Sequence, residues 1–334
     1  MTDFRSKAGK TLFLACAALA LAACGGGGDS RSNTGTLKLG ITDAPVDAAE
    51  AVVVQFTGVE LKPVGGQAFA VDFAAPKSLD LIALQGTTRA MLLDGEQVPA
   101  GDYEWMRLKV NADPNVADDS YITINGARCE MRIPSGDETG LKMIRGFTVG
   151  VGTITDFTVD FDLRKSVVQP PGQRTDLPSC DGQAYLLKPV LRVVDSLQVG
   201  TISGTIDANL IGAGACATSS VTPGNVYLFG PYTATDPVPV PDDVDGIATD
   251  GADPLTTAMV DPNTHAYTIG FVPAGNYVLA YTCDADASTV DADTDVPTPP
   301  ATDEVVTFTP AAGTQATVMA NQTTTVDFDL VPAP

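Results

Sequence analysis

Three short stretches recur along this chain in the same order, and they restrict it to an architecture that can be built twice. Val98-Pro99-Ala100-Gly101-Asp102-Tyr103 returns as Val272-Pro273-Ala274-Gly275-Asn276-Tyr277. Thr158-Val159-Asp160-Phe161-Asp162-Leu163 returns letter for letter as Thr325-Val326-Asp327-Phe328-Asp329-Leu330. Each copy opens alike, with Gly35-Thr36-Leu37 running to Asp43 and Gly200-Thr201-Ile202 running to Asp207. Three matches in register point to tandem copies of one fold. Within the first motif, Pro presets φ, the following Gly accepts a positive φ, and the tyrosine starts a strand. Within the second, Val, Phe and Leu alternate with Asp, so the apolar side chains face a core and the aspartates face water. With 32 Gly and 24 Pro among scattered β-branched runs, the expected class is all-β. The expected architecture is two tandem antiparallel β-sandwich domains, at 36–199 and 200–334.

The chain begins with Arg5, Lys7 and Lys10, an apolar run from Leu12 to Leu21, and then Leu21-Ala22-Ala23-Cys24 before four glycines. The run is far short of the roughly 20 residues that cross a bilayer. A basic start, a short apolar stretch and small residues before a cleavage point are export features, and the whole resembles a bacterial lipoprotein signal peptide with its lipobox. The resemblance implies removal of residues 1–23, acylation of Cys24, and a lipid bilayer as partner. It implies an exported protein anchored in the cell envelope. Gly25, where no Asp stands, resembles the pattern for the outer membrane and leaves the leaflet open. Two or more acyl chains hold stably where one does not. Residues 24–35 read as a flexible Gly-rich tether.

Removing residues 1–23, which hold three basic residues and Asp3, leaves 16 basic and 40 acidic residues, a net of −24. That charge disfavours nucleic acid and anionic lipid surfaces. Cys129, Cys180, Cys216 and Cys283 remain for disulfides, with three connectivities open. Cys129–Cys180 and Cys216–Cys283 are expected, since each pair then lies inside one domain. No C-x-x-C or Cys/His cluster occurs, so zinc is not expected.

Ile41-Thr42-Asp43-Ala44-Pro45, Leu79-Asp80-Leu81, Met106-Arg107-Leu108, Gly140-Leu141-Lys142, Asp160 to Val167 and Tyr185-Leu186-Leu187-Lys188-Pro189-Val190 keep their order over about residues 35–197. Together they resemble an uncharacterised domain of bacterial lipoproteins, a domain-of-unknown-function family. The resemblance implies fold and address and carries no chemistry. In the second copy, Thr201 to Ile206, Val226-Tyr227-Leu228-Phe229 and Tyr267 to Tyr281 resemble a carboxypeptidase-regulatory-like or transthyretin-like sandwich, a carbohydrate-binding-like fold.

Tyr103, Trp105 and Arg107 fall on one face of a strand by strict alternation, opposite Met106 and Leu108. On that face an aromatic pair beside a cation suits the apolar C–H face of a sugar ring, making these three the candidate ligand residues. Yet Tyr277 in the second copy shares a face with Leu279 and Tyr281, and if the copies superpose then Tyr103 and Trp105 are core. Residues 200–334 hold 17 acids and no Lys or Arg. Asp291, Asp293 and Asp295 have the spacing of a calcium loop, although Val296 stands where an EF-hand has glycine; the plain alternative is a solvated acidic loop. No cofactor is required, and Ca²⁺ is the one ion the pattern suggests. His265 is the sole histidine, no nucleophile elbow occurs, and no enzyme is expected. The expected function is a non-enzymatic envelope lipoprotein that presents β-sandwich modules for binding or adhesion, toward a glycan or a surface protein. The alternatives are a calcium-stabilised structural spacer and, last, an acid-dependent hydrolase.

Overall fold

The structure, a computed structural model, describes residues 33–44, 49–112, 119–124, 126–132, 141–143, 146–168, 185–187, 190–212, 216, 223–242, 251–284 and 306–329. It is all-β. Residues 33–334 form one compact unit. Its first half holds β1 (Thr34–Ala44), β2 (Ala51–Pro63), β3 (Phe69–Asp80), β4 (Ala90–Pro99), β5 (Gly101–Asn111), β6 (Tyr121–Ile124) and β7 (Ala127–Arg132). These are followed by β8 (Leu141–Met143), β9 (Phe147–Val149), β10 (Ile154–Asp162), β11 (Val167–Val168), β12 (Tyr185–Leu187) and β13 (Leu191–Asp195). The second half holds β14 (Val199–Thr205), β15 (Asn225–Tyr232), β16 (Thr256–Met259), β17 (Ala266–Pro273), β18 (Gly275–Thr282), β19 (Thr309–Val318) and β20 (Thr323–Thr325).

In the first half a four-stranded sheet, β13-β10-β1-β4, faces a nine-stranded one built on β11-β12-β7-β6-β2-β5-β8, with β3 on β2 and β9 on β5. Between them lie Leu37, Leu39, Ile41, Phe56, Val59, Leu61, Met106, Leu108 and Phe161, all buried. In the second half β17-β14-β20 faces β16-β15-β18-β19 across Ile202, Val226, Leu228, Ile269, Leu279 and Phe328. The two buried clusters are separate and meet no closer in sequence than Leu187 and Ile202. Alternation accounts for the inward sets: Leu37, Leu39 and Ile41 are two apart and share one pleat direction. Strand β15 breaks alternation because both its faces are covered, with Tyr227 and Phe229 packed on Phe308.

Most ladders are antiparallel, as alternation and turn chemistry suggest, but among the described residues three are parallel: β1 with β10, β12 with β7, and β14 with β20. Two of these join the opening strand of a copy to the strand at its repeated Thr-Val-Asp motif, here called the closing strand; in the first copy β11, β12 and β13 follow it. The stretch Leu79–Gln85, readable as helix or strand, splits into the end of β3 and a 3₁₀ turn over Ile82–Leu84.

The repeat holds at the level of single hydrogen bonds. Tyr103 Oη donates to Pro99 O at 2.7 Å, and Tyr277 Oη donates to Pro273 O at 2.9 Å. Thr148 Oγ1 donates to Asp102 Oδ1 (2.6 Å), and Thr317 Oγ1 to Asn276 Oδ1 (2.9 Å). Thr36 N reaches Thr153 O and Thr201 N reaches Gln322 O, both at 2.9 Å. Each opening glycine sits against the turn before the closing strand. A Cβ on Gly35 would lie 2.3 Å from Gly150 O, and one on Gly200 would lie 2.4 Å from Met319 O. The closing strands differ by two residues of register: Thr158 pairs with Gly40 and Thr325 with Ser203. An even shift keeps every inward side chain inward, so Val159 and Phe161, and Val326 and Phe328, are all buried. The aspartates diverge. Asp327 is exposed, whereas Asp160, expected at the surface, is 5% exposed beneath Arg192.

Gly200→Ala is expected to lower stability by about 1–3 kcal/mol, the usual cost of forcing a methyl group into packed structure. Gly212→Ala, whose Cβ meets nothing closer than 3.5 Å at a φ of −85°, is expected to be near neutral. Urea unfolding of the two variants checks the contrast.

Candidate functional site

Strand β5 carries one extra residue against β2. Tyr103 lies opposite Pro63 and Trp105 opposite Lys62, so Glu104 is a bulge, and a bulge reverses the facing of everything beyond it. Tyr103 therefore points inward, 2% exposed and stacked on Phe147 with centroids 4.8 Å apart. Met106, Leu108 and Val110 also point inward, while Trp105, Arg107 and Lys109 stand half-buried on the outer face. The conflict between the two copies is resolved by this single residue. The copies match through the tyrosine and part immediately after it.

On the outer face, β8 brings Lys142 opposite Arg107, and β2 brings Glu60 opposite it from the other side. The Lys142 ammonium lies 4.5 Å and the Arg107 guanidinium 4.9 Å from the Trp105 ring centroid. Cation–π contacts at exposed sites contribute roughly 0.5–1 kcal/mol each, enough to hold the ring in one orientation. Arg107 Nη1 also lies 3.0 Å from Glu60 Oε2. Lys62 bonds Gly66 O, and Lys109 pairs with Asp72. The result is an oriented indole with two cations against its ring, on a chain whose net charge is strongly negative. Such a strip can stack on the C–H face of a sugar ring and meet its anionic substituents.

A second polar centre crosses the four-stranded sheet. Arg89, just before β4, lies over Gly40 of β1, where a Cβ would come within 2.8 Å of its Cδ. From there Arg89 Nη1 and Nη2 grip Asp156 Oδ1 and Oδ2 at 2.7 and 3.0 Å, and Nη1 reaches Thr158 Oγ1 and Ser196 Oγ at 3.0 Å each. The Arg89 side chain thus crosses β1 from the start of β4 and bonds β10 and the residue after β13. Burial pushes the Asp156 carboxyl up, but the hydrogen bonds from Arg89 and Ser196 and the charges of Arg89 and Lys38 outweigh it and hold it below the usual carboxylate range.

The halves meet beside this centre. Gly270 of β17 touches the backbone of Gly86, where a Cβ would lie 2.1 Å from Gly86 O. Lys165 Nζ donates to Pro254 O at 2.8 Å. Two open clefts of about 540 and 530 Å³ run along the junction, one past Arg89, Asp156 and Ser196, the other past Asp160, Lys165 and Arg192. Their charged groups are engaged with each other: Arg192 binds Asp160 through Nε (3.1 Å) and Nη2 (2.5 Å), and Lys165 lies 3.6 Å from Asp162.

Of the residues singled out from sequence, Trp105 and Arg107 come together, and Tyr103 does not join them because its ring is core and its hydroxyl serves Pro99. Lys142, Lys62 and Glu60 were not visible as partners, because sequence alone does not set the strand order. The alternation Leu141-Lys142-Met143 was the one available signal that Lys142 faces outward. Cys216 and Cys283 form a disulfide, as expected. Cys129 is disulfide-bonded. Cys24, Cys180, Asp291, Asp293 and Asp295 lie outside the described residues. Among the described residues no cluster of three or more His, Cys, Asp or Glu is placed to hold a metal. His265 occupies a tight turn at φ 57°, its backbone N bonded to Asp261 O at 2.8 Å.

Residues 34–189 match the family model described as a domain of unknown function, DUF4382. No curated protein matches the chain. Among solved structures the chain is similar to the Bacillus anthracis TIE protein (8% identity, 88% of this chain and 33% of that one, TM-score 0.19). It is also similar to GBS52, the minor pilin of Streptococcus agalactiae (12%, 89% and 97%, 0.19). A third likeness is to BcpA, the major pilin subunit of Bacillus cereus (11%, 88% and 98%, 0.18). The chain spans about a third of the length of the first of these.

A carboxylate held low in the folded state stabilises above its unfolded value, about 3.9, and that contribution is lost as pH falls through the folded value. Asp156 follows this sign, so stability is expected to fall below about pH 4. Asp156→Asn is expected to lower stability at pH 7 and flatten the acid limb, measured by thermal unfolding from pH 7 down to pH 2.

Proposed function

We propose that the chain is a non-enzymatic cell-envelope lipoprotein, anchored through acylated Cys24, whose first sandwich binds an acidic glycan on the outer face of β5. The observation that carries this reading is the half-buried Trp105 with Arg107 and Lys142 against its ring. An indole presented on a sheet face is a stacking platform, and the cations around it select carboxylated or sulfated sugars over neutral ones. Local positive charge on an otherwise acidic body also directs such a ligand to this strip and away from the second half, which has no Lys or Arg. Packed, disulfide-braced β modules suit presentation rather than turnover.

Titrating the full chain with uronate-containing oligosaccharides is expected to change Trp105 fluorescence saturably, and neutral oligosaccharides of equal length to bind at least tenfold more weakly. Trp105→Ala is expected to abolish binding by calorimetry, and Lys142→Ala to weaken it about tenfold, roughly the value of one charge-assisted contact. Equal affinity for neutral and acidic sugars, or none for either, would sink the reading.

A calcium-stabilised spacer is the second reading, supported by the 17 acids of residues 200–334 with no basic residue beside them. It requires the thermal midpoint to rise with millimolar Ca²⁺ and not with equal ionic strength of Na⁺.

A further inference from the structure

Nine large apolar side chains are conspicuously exposed among the described residues, and five of them gather where the chain enters the fold. Asn33 O accepts from Ala100 N, and Thr34 O from Gly152 N, so the segment arriving from Cys24 reaches the sandwich at the turns 99–102 and 150–153. Val151 and Ile154 are on or beside the second of these turns, exposed by 59% and 58%. Val64 (61%) is tied to the first turn through its N–H to Asp102 O. Leu197 (53%) shares a cleft wall with Ile154. Met319 (53%) heads the turn 319–322, where Asn321 Nδ2 donates to Leu197 O. The cleft itself, about 360 Å³, continues inward over Met106, Met143, Phe147 and Phe157. Both halves contribute to this end, because the linker after β13 leaves from it and the equivalent turn of the second copy lies beside it.

We infer that this end is a membrane-docking surface whose partner is the lipid bilayer itself, its apolar side chains seated among headgroups and upper acyl chains. The inference rests on the proposed anchor at Cys24. The occupant follows from where the chain enters. Nine residues from Cys24 to Asn33 reach at most about 30 Å when fully extended, so an acylated Cys24 holds this end nearest the lipid. Tethering raises the effective concentration of the surface at the bilayer, and contacts too weak to act alone then suffice. Val, Ile, Leu and Met lose water there as they do in a core. The rest of the body is strongly acidic and is kept off anionic lipid, which leaves the apolar end as the contact.

The lipidated full chain in vesicles of phosphatidylcholine and phosphatidylethanolamine provides the test. In a Trp105→Phe background, Ile154→Trp reports on this end and Val238→Trp on an exposed apolar site of the second half. Brominated phosphatidylcholine is expected to quench the tryptophan at 154 at least twofold more than that at 238. Hydrogen–deuterium exchange on the unsubstituted chain is expected to show peptides across 147–154 protected on vesicles relative to a soluble Cys24→Ser chain. Co-flotation with equal quenching at both positions, or no protection at 147–154, overturns the docking surface while the anchor stands. A chain that does not co-float at all overturns the anchor, and this inference with it.

Discussion

Each half of the fold depends on one close approach: a glycine at the start of the opening strand pressed against the turn that leads into the closing strand. Gly35 on Gly150 and Gly200 on Met319 leave no room for a side chain, and this contact lets the first strand of each copy run parallel beside the strand that follows the turn. Parallel pairing needs a long connection, and here that connection is most of the copy. In the first copy the parallel pair forms the middle of the four-stranded sheet, with β13 and β4 added on either side; in the second it joins β14 to the edge strand β20. The tyrosine hydroxyl on the carbonyl four residues earlier, present in both copies, pins the turn that meets this junction.

Around that shared frame the halves are dressed differently. In the first, Lys38, Arg107 and Lys109 pair across strands and Lys77, Arg107 and Lys142 lie over rings, and Arg89 reaches β10 across β1 because Gly40 leaves a groove for it. The second has no Lys or Arg, and Asp207, Asp236, Asp261 and Asp327 bond neutral donors, Asp327 through Thr205. Asp160 and Asp327 come from identical hexapeptides. One is buried because Arg192 on β13 covers it, while the other follows β20, beyond which no strand stands in β17-β14-β20 among the described residues.

The proposed ligand strip and the apolar end use different surfaces of the first sandwich. The strip lies on the outer face of the nine-stranded sheet. The apolar end lies at the strand termini, where chain entry, linker and repeated turns converge. Separating them keeps the proposed binding face clear of the proposed lipid contact.

Much of this was legible in the residues because it is local. Turn chemistry at Pro-Ala-Gly, the period-two alternation of Val159, Phe161 and Leu163, and the doubled motifs report the all-β class and the tandem copies without reference to distant contacts. Strands β3 and β4 were not legible, since their alternation is blurred by Pro, Gly and half-buried positions. The parallel closure was not legible either, because register and strand order depend on contacts more than 100 residues apart. The candidate site divides the same way: composition and spacing pointed to Trp105 and Arg107, but one extra residue at Glu104 sent Tyr103 inward and Trp105 outward. Such a bulge is decided by which strand lies alongside, and so is the arrival of Lys142 and Glu60. By itself the sequence determined the class, the repeat and the chemical inventory, which rest on neighbours along the chain; the tertiary structure alone decided which of those groups meet, because pairing between strands is a long-range choice made by the core.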